Sequence, residues 1–84
     1  METQILFADG FEDAFIGLTR SFGLSDRACY SITKIIEILM ERDKMTEDEA
    51  YEFFEFNILG AYVNENMPVF LEETSLEEME ITYE

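Results

Sequence analysis

Apolar residues in the middle of the chain recur with the spacing of an amphipathic helix. They occupy positions i, i+3, i+4, i+7 and i+8 of one stripe: Ile32, Ile35, Ile36, Leu39 and Met40. Ser31 precedes this stripe and is a residue type that caps helix N-termini. The pattern therefore predicts a helix from Ile32 to about Asp43, packed through the apolar stripe.

A second helix is predicted directly after the first. Thr46 and Glu49 have the spacing of a capping box, in which each side chain accepts from the other's backbone N–H. The predicted helix runs from Glu47 to about Phe56. Its inward residues are Ala50, Phe53 and Phe54.

Short apolar runs bounded by turn residues predict strands at 3–7, 27–30, 58–63 and 69–71. Asp9-Gly10 predicts a turn, and residues 23–26 predict a loop. The stretch 14–22 fits either a strand or one turn of helix.

Together these elements predict a small α+β domain over residues 1–71, with two helices packed on a small, mostly antiparallel sheet. Residues 72–84 form an acidic C-terminal extension. Ser75 and Glu78 repeat the capping-box spacing there, so the extension is expected to hold a short helical turn or to fray.

Charge is distributed very unevenly along the chain. The net charge is −15, and all twelve charged side chains from residue 45 onward are acidic. The five bases lie in the first half, beside the other eight acids, so the halves carry −3 and −12. Such a field repels nucleic acid and anionic membranes and attracts basic surfaces. Direct binding to nucleic acid or membrane is therefore not expected.

The residues that usually carry chemistry are scarce. The chain has no His, one Cys and no phosphate-binding Gly motif. We predict that it is not an enzyme and has no cofactor or metal site. The weaker alternative is a divalent-cation site at Asp9, Glu12 and Asp13, which surround a Gly turn but lack the EF-hand ligand pattern. The sequence shows neither a signal-peptide pattern nor a long apolar run, which predicts a cytoplasmic location.

Several short motifs carry a resemblance that spans residues 9–70. They are Asp9-Gly10-Phe11, Ala14-Phe15-Ile16-Gly17, Ile38-Leu39-Met40-Glu41-Arg42-Asp43, Met45-Thr46, Glu49-Ala50 with Glu52, Phe54-Glu55-Phe56-Asn57, Gly60-Ala61-Tyr62-Val63 and Pro68-Val69-Phe70. With them the chain resembles small uncharacterised proteins of tailed bacteriophages and prophages, apart from Asn64 where Gly is usual and Met67 where Thr is usual. The resemblance implies a phage origin and action in the host cell. It implies no activity and no functional residues.

The acidic residues of the second helix form the main candidate site. Asp48, Glu52 and Glu55 fall on one stripe, with successive rises of about 6 and 4.5 Å that are comparable to phosphate spacing along a nucleic-acid strand. Further contacts are predicted at Glu47, Glu65, Glu72 and Glu73. The partner would be a basic surface of a host or phage protein. In the sharpest form of the hypothesis the protein is a nucleic-acid mimic that inhibits a nucleic-acid-binding protein.

Two alternatives stay open at this stage. The acidic surface can serve solubility alone. The protein can also be a structural or assembly protein with an apolar interface, through Phe56, Tyr51 and strand edges, to a second copy or to another protein. Phe56 lies between the inward and acidic stripes, so we assign it to the partner-binding residues in either case.

Overall fold

The structure, a computed structural model, describes residues 5–61 and 66–80. These residues form an α+β fold with two helices and a small sheet, as predicted, and the sheet has three strands. The elements are a 3-10 turn (Glu12–Ala14), β1 (Phe15–Ser21), β2 (Leu24–Ser31), α1 (Ile32–Arg42), α2 (Glu47–Phe53), a π-helical segment (Phe54–Leu59) that continues α2, and β3 (Val69–Leu71).

The sheet has the strand order β1-β2-β3. β1 and β2 form an antiparallel hairpin, whereas β3 runs parallel to β2, with Tyr30 opposite Phe70. A parallel partner needs a long crossover connection, and here the two helices supply it. Because the antiparallel pair is the longer one, the prediction of a mostly antiparallel sheet is confirmed.

The hairpin turn is tighter than the sequence suggested. Ser21 pairs with Leu24 across a two-residue connection, in which Gly23 has a φ of +80°. Glycine adopts this φ without strain, so two residues are enough to reverse the chain. The predicted loop over 23–26 is therefore wrong, since β2 begins at Leu24. Of the two structures that fitted residues 14–22, the strand is the one that forms.

Helix α1 begins and packs as predicted. The Ser31 hydroxyl accepts from the backbone N–H of Lys34 at 3.2 Å, and Ile35, Ile36 and Leu39 are buried. Met40 was predicted to face inward, but 39 % of it is exposed, because it lies at the trailing border of the apolar stripe.

The second helical run is longer than predicted. Its capping box forms, and the helical backbone then continues as a π-helix to Leu59. Ala50, Phe54 and Ile58 are all buried at four-residue intervals, so the wider turn keeps a third apolar residue against the core. The predicted strand over 58–63 is wrong for residues 58–61, and residues 62–63 lie outside the described part.

Tyr30 lies at the centre of the core. It is 1 % exposed, and its hydroxyl accepts from the backbone N–H of Ala8 at 2.8 Å. Its ring contacts Phe15 on β1 and Phe70 on β3, with centroids 5.6 and 6.1 Å apart. The N-terminal segment is thus fixed to the sheet through a side chain. Residues 5–7 form no strand, contrary to prediction, while residues 3–4 lie outside the described part.

Candidate protein-binding surface

The acidic stripe of the second helical run faces solvent. Asp48 and Glu52 on α2 and Glu55 at the start of the π-helical segment are all exposed. Ala50 and Phe54, on the opposite side of the same run, are 0 % and 3 % exposed. The buried residues hold the helix in place, so the three carboxylates are presented on a packed element and not on a loose loop.

These carboxylates have no basic partner. In the described part of the chain the ion pairs are Arg20–Asp26 at 3.4 Å and Arg42–Asp43 at 3.3 Å, and both lie in the first half of the sequence. Surface helices usually alternate acids and bases, which support each other at i, i+4. Here the three acids form no ion pair among the described residues, and the nearby base is Lys44, which lines one depression together with Glu52.

Phe56 lies beside the acids in a shallow depression. It is 76 % exposed. The depression is lined by the loop between the helices and by one side of the second helical run: Asp43, Lys44, Met45, Glu49, Glu52, Phe53, Phe56 and Asn57. The structure therefore brings Glu52 and Phe56 together, which combines an apolar anchor with a charged rim. Tyr51 is 41 % exposed.

The other predicted contacts are placed in different ways. Glu47 is exposed in the first turn of α2, and Glu72 and Glu73 are exposed directly after β3. The Phe54 and Phe70 rings meet edge to face at 5.3 Å, which packs β3 against the π-helical segment that bears Glu55. Glu65 lies outside the described residues.

The acidic extension forms its own capping box. The Ser75 hydroxyl accepts from the backbone N–H of Glu78, and the Ser75 backbone N–H donates to Glu78 Oε1, both at 3.1 Å. Leu76 and Met79 are 48 % and 55 % exposed. The turn is thus held by its own hydrogen bonds, without burial of its apolar side chains.

Sequence reasoning missed one surface, the outer part of the β1–β2 hairpin. Phe22 is fully exposed at the turn, and Leu24 is 64 % exposed beside it. Ile16 and Leu18 on β1 are more than 40 % exposed, and β1 is an edge strand. An apolar residue next to the turn glycine was the available signal, because turns at the tip of a hairpin are normally polar.

Two predicted features concern Cys29 and the acidic residues around the Gly10 turn. Burial raises the pKa of the Cys29 thiol, which disfavours the reactive thiolate. Within the described residues no group of acidic, Cys or His side chains is placed to hold a metal ion. Asp9, Glu12 and Asp13 therefore do not come together as a site, and Glu12 Oε2 instead accepts from the Gly10 backbone N–H at 3.2 Å.

Across residues 5–61 and 66–80, no helix is long and apolar enough to cross a bilayer. Comparisons of the chain with protein-family models, curated proteins and solved structures found no match. The resemblance to phage proteins remains a prediction.

Proposed function

We propose that this protein is a small, non-enzymatic accessory protein, of phage origin, that binds a basic surface of a protein partner. The observation that supports this proposal is the exposed stripe of Asp48, Glu52 and Glu55, which forms no ion pair among the described residues and is held on a packed helical run. Electrostatic complementarity of this kind accelerates encounter and selects basic partners.

The sharper form of the proposal is nucleic-acid mimicry. The rise of about 6 Å between Asp48 and Glu52 along α2 resembles the repeat of backbone phosphates, and Glu55 follows them at the start of the π-helical segment. The exposed acids that flank the stripe, Glu47, Glu72 and Glu73, enlarge the negative surface. A partner that normally binds nucleic acid through Lys and Arg would meet a similar array of charges, and its site would be blocked.

A comparative pull-down tests both forms. Wild-type protein and the variant Asp48→Asn/Glu52→Gln/Glu55→Gln are immobilised side by side, and bound bacterial lysate proteins are eluted with a salt gradient. We expect a protein retained by the wild type alone, released at moderate salt and displaced by added duplex DNA. Equal retention on both columns would refute the site. Retention that DNA does not displace would refute mimicry but keep acidic-surface binding.

The hairpin favours a second candidate function, assembly through an apolar interface. A fully exposed Phe22 beside Leu24, on a hairpin with an unpaired edge strand, suits a contact that excludes water. Residues 15–31 hold Arg20, Asp26 and Arg27, a net +1 (2 − 1), so this region repels a second copy least.

Size-exclusion chromatography at low and high salt distinguishes the two functions. An assembly formed through the hairpin should persist or strengthen at high salt, because screening reduces the repulsion between highly negative chains. The double variant Phe22→Ser/Leu24→Ser should elute as a monomer at both salt concentrations. A wild-type protein that is monomeric under both conditions would refute self-assembly through this hairpin.

A further inference from the structure

A small apolar cavity lies at the base of the hairpin, apart from the acidic stripe. Its volume is about 330 Å³, and its walls are Phe7, Phe15, Tyr30 and Glu12. The lining is almost entirely apolar, whereas that of the depression beside Phe56 is about half polar. This volume falls within the lower range of sites that hold small ligands or single side chains.

The Phe15 ring is set at a steep angle to each of the other two rings. The Phe7 and Phe15 centroids are 6.0 Å apart with an interplanar angle of 53°, and Phe15 meets Tyr30 at 5.6 Å and 75°. Because Phe15 stacks face to face on neither neighbour, the rings leave the space of the cavity between them. Their π-systems carry negative potential on the ring faces.

The rings are held without closing the cavity. Tyr30 is 1 % exposed, and its hydroxyl is engaged by the Ala8 backbone N–H. Phe7 and Phe15 are 57 % and 40 % exposed, so solvent reaches the cavity between them. A rigid inner wall with two accessible outer walls is suited to accepting a group from outside.

One acidic residue, Glu12, lines the cavity. Glu12 also lines the adjoining depression, where Asp13, Glu41 and Arg42 lie. These four side chains carry a net −2 (3 acids, 1 base), and the Arg42 guanidinium is occupied by the Gly10 carbonyl at 2.9 Å, by Asp43 and by the Phe11 ring at 5.0 Å. The local charge therefore favours a cation over an anion at the cavity.

We propose that this cavity is an aromatic cage for a cationic side chain, a lysine ammonium group of the protein partner. Aromatic rings and nearby carboxylates bind alkylammonium groups through cation–π attraction and charge, while the methylene stem packs on the rings. The proposal rests on the proposed function for the partner's basic character, but it can be tested without the partner.

The test compares a cationic probe with its neutral isostere. Choline and 3,3-dimethylbutanol have the same shape and differ in charge, and ring currents shift their methyl NMR signals on binding. At constant ionic strength we expect millimolar binding of choline and about tenfold weaker binding of the isostere. Nα-acetyl-lysine methylamide should likewise bind better than its norleucine counterpart.

Matched variants separate the cage from general attraction to a negative protein. Phe7→Leu and Phe15→Leu should each weaken choline binding several-fold, and Glu12→Gln should weaken it less. Phe22→Leu, the same substitution at the hairpin tip, should change nothing. Circular dichroism confirms folding, and Phe7, more than half exposed, tolerates substitution best.

Three outcomes would overturn the cage: no choline binding in the millimolar range, equal binding of the neutral isostere, or full binding by the folded Phe7→Leu variant. Because the probes are small molecules, such a failure leaves the proposed acidic-surface function standing. Conversely, choline binding by a protein that retains no lysate partner would refute the proposed function and leave the cage.

Discussion

The hairpin and the acidic helical run expose opposite kinds of surface. Residues 15–31 carry a net +1 and expose Phe22, Leu24 and Leu18, whereas residues 45–84 carry −12 and expose carboxylates. The acidic run is well anchored, with Ala50 and Phe54 buried beneath its charges. The hairpin is anchored only at its base, where Ala28 and Tyr30 are buried.

This difference shows that the chain separates its two types of contact in space. Charge of one sign on a packed helix favours a partner whose binding weakens with salt. Exposed apolar side chains on a weakly charged hairpin favour a partner whose binding resists salt. Each region can therefore be altered without altering the other, and the following predictions use that independence.

The largest expected effect is on folding stability and distinguishes the two regions directly. Phe54 is 3 % exposed, and its ring contacts that of Phe70. The substitution Phe54→Ala should therefore lower the unfolding free energy by about 3–5 kcal/mol, because it leaves a cavity in the core. Phe22→Ala, at a fully exposed position, should change it by less than about 0.5 kcal/mol. Urea denaturation followed by circular dichroism measures both.

Because Phe54→Ala can unfold so small a protein, Phe54→Leu provides a graded variant with an expected loss of about 1–2 kcal/mol. A hairpin substitution as costly as the core one would show that Phe22 is buried in solution, in an assembly. Its cost would then depend on protein concentration.

The next effect concerns partner binding by the acidic run. Asp48→Lys/Glu52→Lys/Glu55→Lys should weaken binding of the partner recovered by pull-down roughly hundredfold, or about 2.8 kcal/mol at 1.4 kcal/mol per decade. Charges that attract the partner are replaced by charges that repel it. Titration by biolayer interferometry at fixed ionic strength measures the dissociation constant.

The matched control reverses three exposed acids elsewhere, Glu37→Lys/Glu77→Lys/Glu80→Lys. Both triple variants change the net charge from −15 to −9 (−15 + 6), so total charge is held equal. If the control loses as much affinity as the stripe variant, binding depends on overall charge and the proposed site is wrong.

A smaller effect on stability is expected when the two capping boxes are removed in turn. Thr46→Ala removes the cap of a helix that packs on the core, and should cost about 1 kcal/mol of unfolding free energy. Ser75→Ala removes the corresponding side-chain hydrogen bond, from the Glu78 N–H to the Ser75 hydroxyl, in a turn whose residues are exposed. Local fraying there is not coupled to global unfolding, so the melting temperature should stay unchanged. A Ser75→Ala loss equal to that of Thr46→Ala would reveal packing of the extension.

The capping boxes also show what the sequence could predict. Residues within four positions of each other determine a cap, so Ser31, Thr46 and Ser75 were identified from the sequence alone. The apolar spacing of α1 was similarly sufficient. The parallel pairing of β3 with β2 depends on contacts between residues about forty positions apart, and no local pattern encodes it.

Ile58 illustrates why one element was assigned wrongly. The apolar run from Ile58 fits a strand, but the same residue continues the four-residue interval of Ala50 and Phe54 against the core. Packing of Ile58 against the core favours the helix over the strand. For the candidate site, the exposure of Asp48, Glu52 and Glu55 followed from helical periodicity. The aromatic cavity could not be predicted from the sequence, because its walls, Phe7, Phe15 and Tyr30, come from three separate segments.

The smallest effect is the pH dependence that Cys29 adds at the middle strand of the sheet. Burial raises the pKa of its thiol in the folded protein, so the folded state keeps the proton that the unfolded state loses from about pH 8.5 upward. The stability linked to this group is fully present below that pH and is lost as the pH rises through the folded pKa. Wild-type stability should therefore fall slightly relative to Cys29→Ala between neutral and alkaline pH, a comparison that cancels the Tyr and Lys titrations.

Iodoacetamide should correspondingly alkylate the folded thiol with a half-maximal rate at higher pH than it does the urea-unfolded chain. Coincident alkylation profiles would mean that the strand opens readily around Cys29, which would place the base of the hairpin, like its tip, among the weakly packed parts of the molecule.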